Sequence, residues 1–194
     1  MQPQRTASQY RAIDLSLFAV ILIVFETLLL RASMHWFPRE PWTVSAAAAV
    51  TAIVMVRWGH WAAIHAVIGG IVFCVVNHGQ WQQYLIYCLG NLAALSLLPL
   101  IKKWGWETLR KDVLKNLLFG FLTLMLMHAG RAATAMILGT PPAAAAGFFT
   151  TDVVSYIFTI TIVWIASRLD GILEDQQHYL QRINDPKNRE GGIA

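Results

Sequence analysis

Charge is scarce in this chain. Only 13% of its 194 residues are Asp, Glu, Lys or Arg, against roughly 25% in an average soluble domain. That shortage excludes a soluble enzyme, a disordered chain and a coiled coil. Cysteine is nearly missing as well. Cys74 and Cys88 each sit inside an apolar run, so there is no CxxC, no zinc spacing and no disulfide framework. HExxH, GxSxG and the Walker lysine motif are absent, and no carboxylate pair recurs. No enzyme activity, metal or cofactor is therefore expected. Nor is there a nucleic-acid signature, because the basic residues are scattered where anionic lipid suffices to explain them.

What is present is apolar sequence: 56% of the residues are hydrophobic. It falls into six runs, Ile13 to Leu30, Trp42 to Val56, Trp61 to Val76, Tyr84 to Ile101, Val113 to Leu138 and Phe148 to Leu169. A membrane crossing needs about 20 apolar residues. The second and third runs are short, and one continuous helix from Trp42 to Val76 would be far too long for one crossing. The first run is not a signal peptide, since it carries Asp14 and Glu26 and lacks a good cleavage site.

Basic residues choose between the two counts. With six spans and both ends in the cytoplasm, the inner segments hold Arg5, Arg11, Arg57, Lys102, Lys103, Arg110, Lys111, Lys115, Arg168, Arg182, Lys187 and Arg189. The outer loops hold only Arg31 and Arg39. Merging runs two and three inverts this, against the positive-inside rule. Tryptophan agrees, because Trp36, Trp42, Trp58, Trp61, Trp81, Trp104 and Trp106 all fall at run boundaries, as an aromatic belt requires. The expectation is an all-α integral membrane protein of the cytoplasmic membrane. It has one domain over residues 1–194, six transmembrane helices and a cytoplasmic helical tail over about 168–194.

In that tail, Leu169, Leu173, Leu180 and Ile183 share one helical face. The sixth span is expected to continue to about Asn184 and stop at Asp185-Pro186. The face docks on the protein's own inner loops or on a partner. Small residues crowd several spans. Ala12, Ser16 and Ala19 on the first let backbones approach closely, either inside the bundle or against another subunit.

Polar groups at depth are costly in lipid, so each is a functional candidate. Glu26, Asn91, His128, Arg131, Asp152 and Tyr156 all map to the outer half of their spans. His128 and Arg131 are three apart and share a face. Arg131 either pairs with Asp152 or Glu26, or binds an anion. In the second case the site is a pocket open to the outside, roofed by His35, Trp36, Arg39, Asn77, His78, Gln80, Trp81 and Gln82. Aromatic walls with a few convergent polar groups are typical of small-molecule sites.

The segment Trp42 to Gly70 combines an alanine-rich short helix, the turn Arg57-Trp58-Gly59-His60-Trp61, and a small-residue helix ending in Gly69-Gly70. It resembles the second and third helices of the substrate-binding S components of energy-coupling-factor (ECF) transporters. Size, six spans and a long first outer loop resemble that family too. The resemblance implies capture of a vitamin-like small molecule near the outer face, with the first outer loop as lid. It implies delivery inward with a membrane coupling subunit and two ATPase subunits. Docking in that family uses small residues on the first helix, commonly an alanine pair spaced by four. Here the position reads Ala12-Ile13-Asp14-Leu15-Ser16, followed by Ala19. A rival reading is a six-span scaffold of the MreD type, which has no ligand. A lipid-modifying enzyme lacks its acid/base or metal groups.

Overall fold

The computed structural model describes residues 6–39 and 42–184. Arg5, Lys187, Arg189, Asp185-Pro186 and the side chain of Ile183 lie outside the described residues. All regular structure among the described residues is helical: α1 (Ala7–Trp36), α2 (Ala47–Trp58), α3 (Ala62–Val76), α4 (Trp81–Asn91), α5 (Leu98–Trp104), α6 (Trp106–Lys111), α7 (Val113–Ile137), α8 (Pro142–Ala145), α9 (Gly147–Thr151), α10 (Val153–Arg168) and α11 (Gln176–Asn184). Among the described residues, four stretches are long and apolar enough to cross a membrane: Ala7–Trp36, Ala47–Val76, Trp81–Trp104 and Val113–Ile137. A fifth candidate, Pro142–Thr150 with Val153–Arg168, is bent by 45°. Large apolar side chains face outward along these helices, among them Leu17, Val20 and Leu28 on α1, Leu114 on α7 and Ile157 on α10. Such a girdle fits a protein embedded in lipid.

The stretch Ala47–Val76 folds back on itself. Gly59 takes φ +60°, a conformation that only glycine adopts without strain, and a short 3₁₀ turn over Gly59–Trp61 reverses the chain. Gly69 then lies so close to Ala47 that an added Cβ would meet the alanine Cβ at 2.5 Å. At 12 residues, α2 is about 18 Å long. Every one of its residues is buried. It occupies the middle of the bundle, against α1, α3, α7 and α10.

Both ends of α2 are held by acids on α1. At its start, Glu26 accepts from Ser45 Oγ at 2.7 Å, the Ala46 amide at 2.6 Å and the Ala47 amide at 3.1 Å. These are first-turn donors that a helix cannot satisfy by itself. At its end, Asp14 accepts from Arg57 Nε at 2.9 Å, Arg57 Nη2 at 2.7 Å and Trp58 Nε1 at 2.6 Å.

The fourth apolar run is broken for a local reason. Pro99 has no N–H, so the carbonyl of Leu95 loses its usual partner four residues on. The Leu98 amide takes that carbonyl instead, and Leu92–Leu97 tightens into a 3₁₀ helix between α4 and α5. Glycine sets the neighbouring crossing of α4 on α7. A Cβ on Gly90 would lie 2.6 Å from the Cα of Arg131, and one on Gly130 would strike the carbonyl oxygen of Gly90.

The tail differs from a continuous sixth helix. α10 stops at Arg168, Gly171 turns the chain with φ +69°, and α11 starts afresh at Gln176. The reason is a set of partners at that turn. Arg57 Nη1 donates to the carbonyls of Gly171 and Ile172. Leu173 is buried, and Leu180 packs on the main core. Buried Glu174 accepts from Arg182 at 3.1 Å and lies 3.8 Å from Arg110. The tail thus docks on its own bundle.

Candidate functional site

The α4–α7 crossing puts Arg131 inside the bundle, where it is only 3% exposed. Its Nε donates to Asn91 Oδ1 at 2.8 Å, and Nη1 reaches Asp152 Oδ2 at 3.2 Å. The guanidinium lies over the ring of Tyr87, 4.7 Å from its centroid. Asn91 in turn donates to the Ala66 carbonyl at 2.9 Å, which fixes the amide and ties α3, α4 and α7 together. A buried charge persists only when paired and hydrogen-bonded, and Arg131 is both.

Asp152 sits where α9 gives way to α10. The break frees backbone groups, and the extended segment Thr43–Ser45 lies across it. The Thr43 amide donates to the Thr151 carbonyl at 3.3 Å. Ser155 Oγ donates to the Thr43 carbonyl at 3.2 Å and accepts from the Ser45 amide at 3.0 Å. Thr43 Oγ1 donates to the second oxygen of Asp152. His128 borders the same carboxylate. Its Nδ1 is bonded to the Phe148 carbonyl; a carbonyl only accepts, which assigns the proton to Nδ1. Nε2 then faces Asp152 Oδ2 at 3.6 Å without a hydrogen bond. The imidazole stacks on Tyr156, centroids 5.3 Å apart.

Above this cluster is a cleft of about 380 Å³, lined by Ser33, Met34, Phe37, Pro38, Trp42, Thr43 and Asn77. It lies within the size range of small-molecule sites. Phe37 and Trp42 form an edge-to-face pair across it, centroids 5.5 Å apart. Thr43 belongs to both cleft and cluster, so it joins the cleft to Asp152 and Arg131.

The structure therefore divides the expected site residues. Asn91, His128, Arg131, Asp152 and Tyr156 come together. Glu26 adjoins them through Ser45, which bonds both Glu26 and Ser155, but both its oxygens are committed to the start of α2. Asn77 lines the cleft, whereas His35, Trp36 and Trp81 are exposed and outside its lining. Ala12 and Ser16 are exposed on α1, and Ala19 is half-buried. Sequence reasoning passed over Thr43, Ser45, Phe37 and Trp42. A signal existed for two of them: hydroxyls at positions 43 and 45 immediately before an apolar helix read as capping residues. Among the described residues, no group of three His, Cys, Asp or Glu side chains is placed to hold a metal ion. In comparisons with known proteins, no family model, curated protein or solved structure matches the chain.

Proposed function

We propose that the chain is a substrate-capture protein of the ECF S-component type. It binds a vitamin-like small molecule from outside and releases it inward with a membrane coupling subunit and two ATPase subunits. The observation that carries this reading is the cleft between the end of α1, the following loop and the end of α3, with Thr43 on its floor. In this reading Phe37, Pro38 and Trp42 cover the ligand, and the Arg131–Asp152 cluster holds the floor rigid. The protein performs no bond chemistry of its own. It has six spans, counting α2 and α3 separately and α8 to α10 as one, and it resides in the cytoplasmic membrane. Arg57 and Arg110 both reach the turn after α10, at Gly171, Ile172 and Asp170, and Lys102, Lys103, Lys111 and Arg168 neighbour these residues or that turn in sequence, which supports placing both termini in the cytoplasm.

A thermal-unfolding screen of the purified protein against water-soluble vitamins and their precursors tests this. A ligand at 100 times its Kd adds about 2.7 kcal/mol to stability. At least one compound should raise the midpoint, and Trp42→Ala should cancel the rise. A well-folded protein that no compound stabilises would sink the reading. One observation favours the rival scaffold of the MreD type: Arg131 and Asp152 satisfy each other without any ligand.

A further inference from the structure

We infer that the cleft takes a flat, non-anionic ligand that donates hydrogen bonds: an amino- or amidine-substituted aromatic ring. This rests on the capture reading and supplies the substrate class it leaves open.

The argument follows the hydrogens of the lining. Ser33 Oγ donates its proton to the Leu30 carbonyl at 2.9 Å. Thr43 Oγ1 donates its proton to Asp152. Asn77 Nδ2 uses one hydrogen on the Phe73 carbonyl at 2.8 Å. Two hydroxyls are thereby left with only lone pairs to offer, and Asn77 keeps its carbonyl oxygen. The remaining side-chain donors are the second amide hydrogen of Asn77 and the indole N–H of Trp42. Both are neutral, and no Lys or Arg is among the described residues that line the cleft. An anion entering here would lose its water and meet no cation among these lining residues, which costs more than two neutral donors return.

Helix ends point the same way. Ser33 and Met34 belong to the last turn of α1, and Asn77 caps the end of α3. Carbonyl ends of helices carry partial negative charge. The positive start of α2 does not offset them, because Glu26 already covers it. Meanwhile Phe37 and Trp42 offer ring faces and edges to a flat partner, and such pairs also attract cations. A ring bearing N–H groups satisfies every one of these features, and a carboxylate or phosphate satisfies none of the electrostatic ones.

The test uses purified full-length protein and four small probes: 4-aminopyrimidine, benzamidine, pyrimidine and nicotinate. Binding is read by saturation-transfer NMR and by the thermal-unfolding midpoint. The two N–H-bearing probes should bind saturably, and pyrimidine and nicotinate about tenfold more weakly or worse. Thr43→Val should weaken the first two, and Thr43→Ser should retain them. Should Thr43→Val fail to fold, Asn77→Leu and Trp42→Ala remove an acceptor and a ring without touching the Asp152 contact. Nicotinate binding as tightly as benzamidine, and lost in Trp42→Ala, would overturn the donor class while leaving capture intact. If none of the four binds but a vitamin does, the class again falls alone. If neither set binds, both readings fall.

Discussion

Asp14 and Glu26 stand twelve positions apart on α1, and together they hold the two ends of α2. Twelve residues of α-helix span about 18 Å, which is also the length of the 12-residue α2. The two helices run antiparallel, so Glu26 meets the donor-rich start of α2 and Asp14 meets Arg57 at its end. Each carboxylate also lies where the α2 dipole and its neighbours demand it: Glu26 on the positive end, Asp14 on a buried cation.

Removing the first of these anchors should cost stability. Glu26→Ala leaves Ser45 Oγ and the amide of Ala46 without their acceptor in a buried site. The expected loss is about 3 kcal/mol. Glu26→Gln keeps one acceptor oxygen and should fall between the two. Thermal or detergent-induced unfolding of the three proteins measures this, and an unchanged Glu26→Ala midpoint would refute the anchoring role.

The α4–α7 crossing depends on two glycines. Gly130→Leu would push a side chain into the backbone of Gly90 and should destabilise by about 3 kcal/mol or more. It should also separate Arg131 from Asn91. Gly147→Ala is the control, because nothing lies within 4 Å of its would-be Cβ. Equal stability of both variants would show that the helices can move apart freely.

Asp112 caps α7 and should make its stability pH-dependent. The Lys115 amide, then the Lys115 side chain, hold its carboxyl below the ordinary carboxylate range. A depressed folded value means the stabilisation is complete above the unfolded value and disappears as pH falls through the folded one. Asp112→Ala should therefore unfold earlier than wild type near neutral pH. The difference should shrink between about pH 5 and pH 2. A gap that stays constant with pH would show that the charge is irrelevant.

Orientation can be read with cysteines placed one at a time, after Cys74 and Cys88 are replaced by alanine. In intact cells, an impermeant maleimide should label His35→Cys and Gln80→Cys. It should label Gln177→Cys only after permeabilisation. Labelling of Gln177→Cys in intact cells would overturn the cytoplasmic C-terminus.

Docking is tested on α1. Ser16 is exposed and Ala12 beside it likewise, so Ser16→Trp should fold normally and, under the proposed capture function, lose association with ATPase subunits in native membranes. Retained association would move the docking face elsewhere.

Much of this architecture was legible locally. The run Val113 to Leu138 became α7 within one residue at its end, because Asp112 caps it and Pro141 follows. That Arg131 must face inward was legible from depth alone, since lipid does not tolerate its charge unpaired, but Asp152 was only one of its candidate partners beside Glu26 and an anion. What the sequence hid depends on distant partners. Hydropathy starts the second helix at Trp42, but Thr43–Ser45 stays extended because its backbone bonds to Thr151 and Ser155. Glu26 read as a ligand-binding carboxylate because the amides it caps lie about twenty residues further on. The break after Arg168 likewise follows from Arg57, far upstream.

The seclusion of α2 bears on how the chain is made. Most spans can settle in lipid one by one and associate later. α2 is short for the hydrocarbon layer, and Thr51 and Arg57 on it are buried. Its guest-like position demands that α1 already be waiting, with Asp14 and Glu26 facing inward. Synthesis order supplies that host, because α1 leaves the ribosome first. α3 then turns back at Gly59 to close over the guest. A circular permutant that emits α2 before α1 would have to shelter a polar, undersized helix with no receptor, and should be degraded during biogenesis even though its finished fold would contain every native contact.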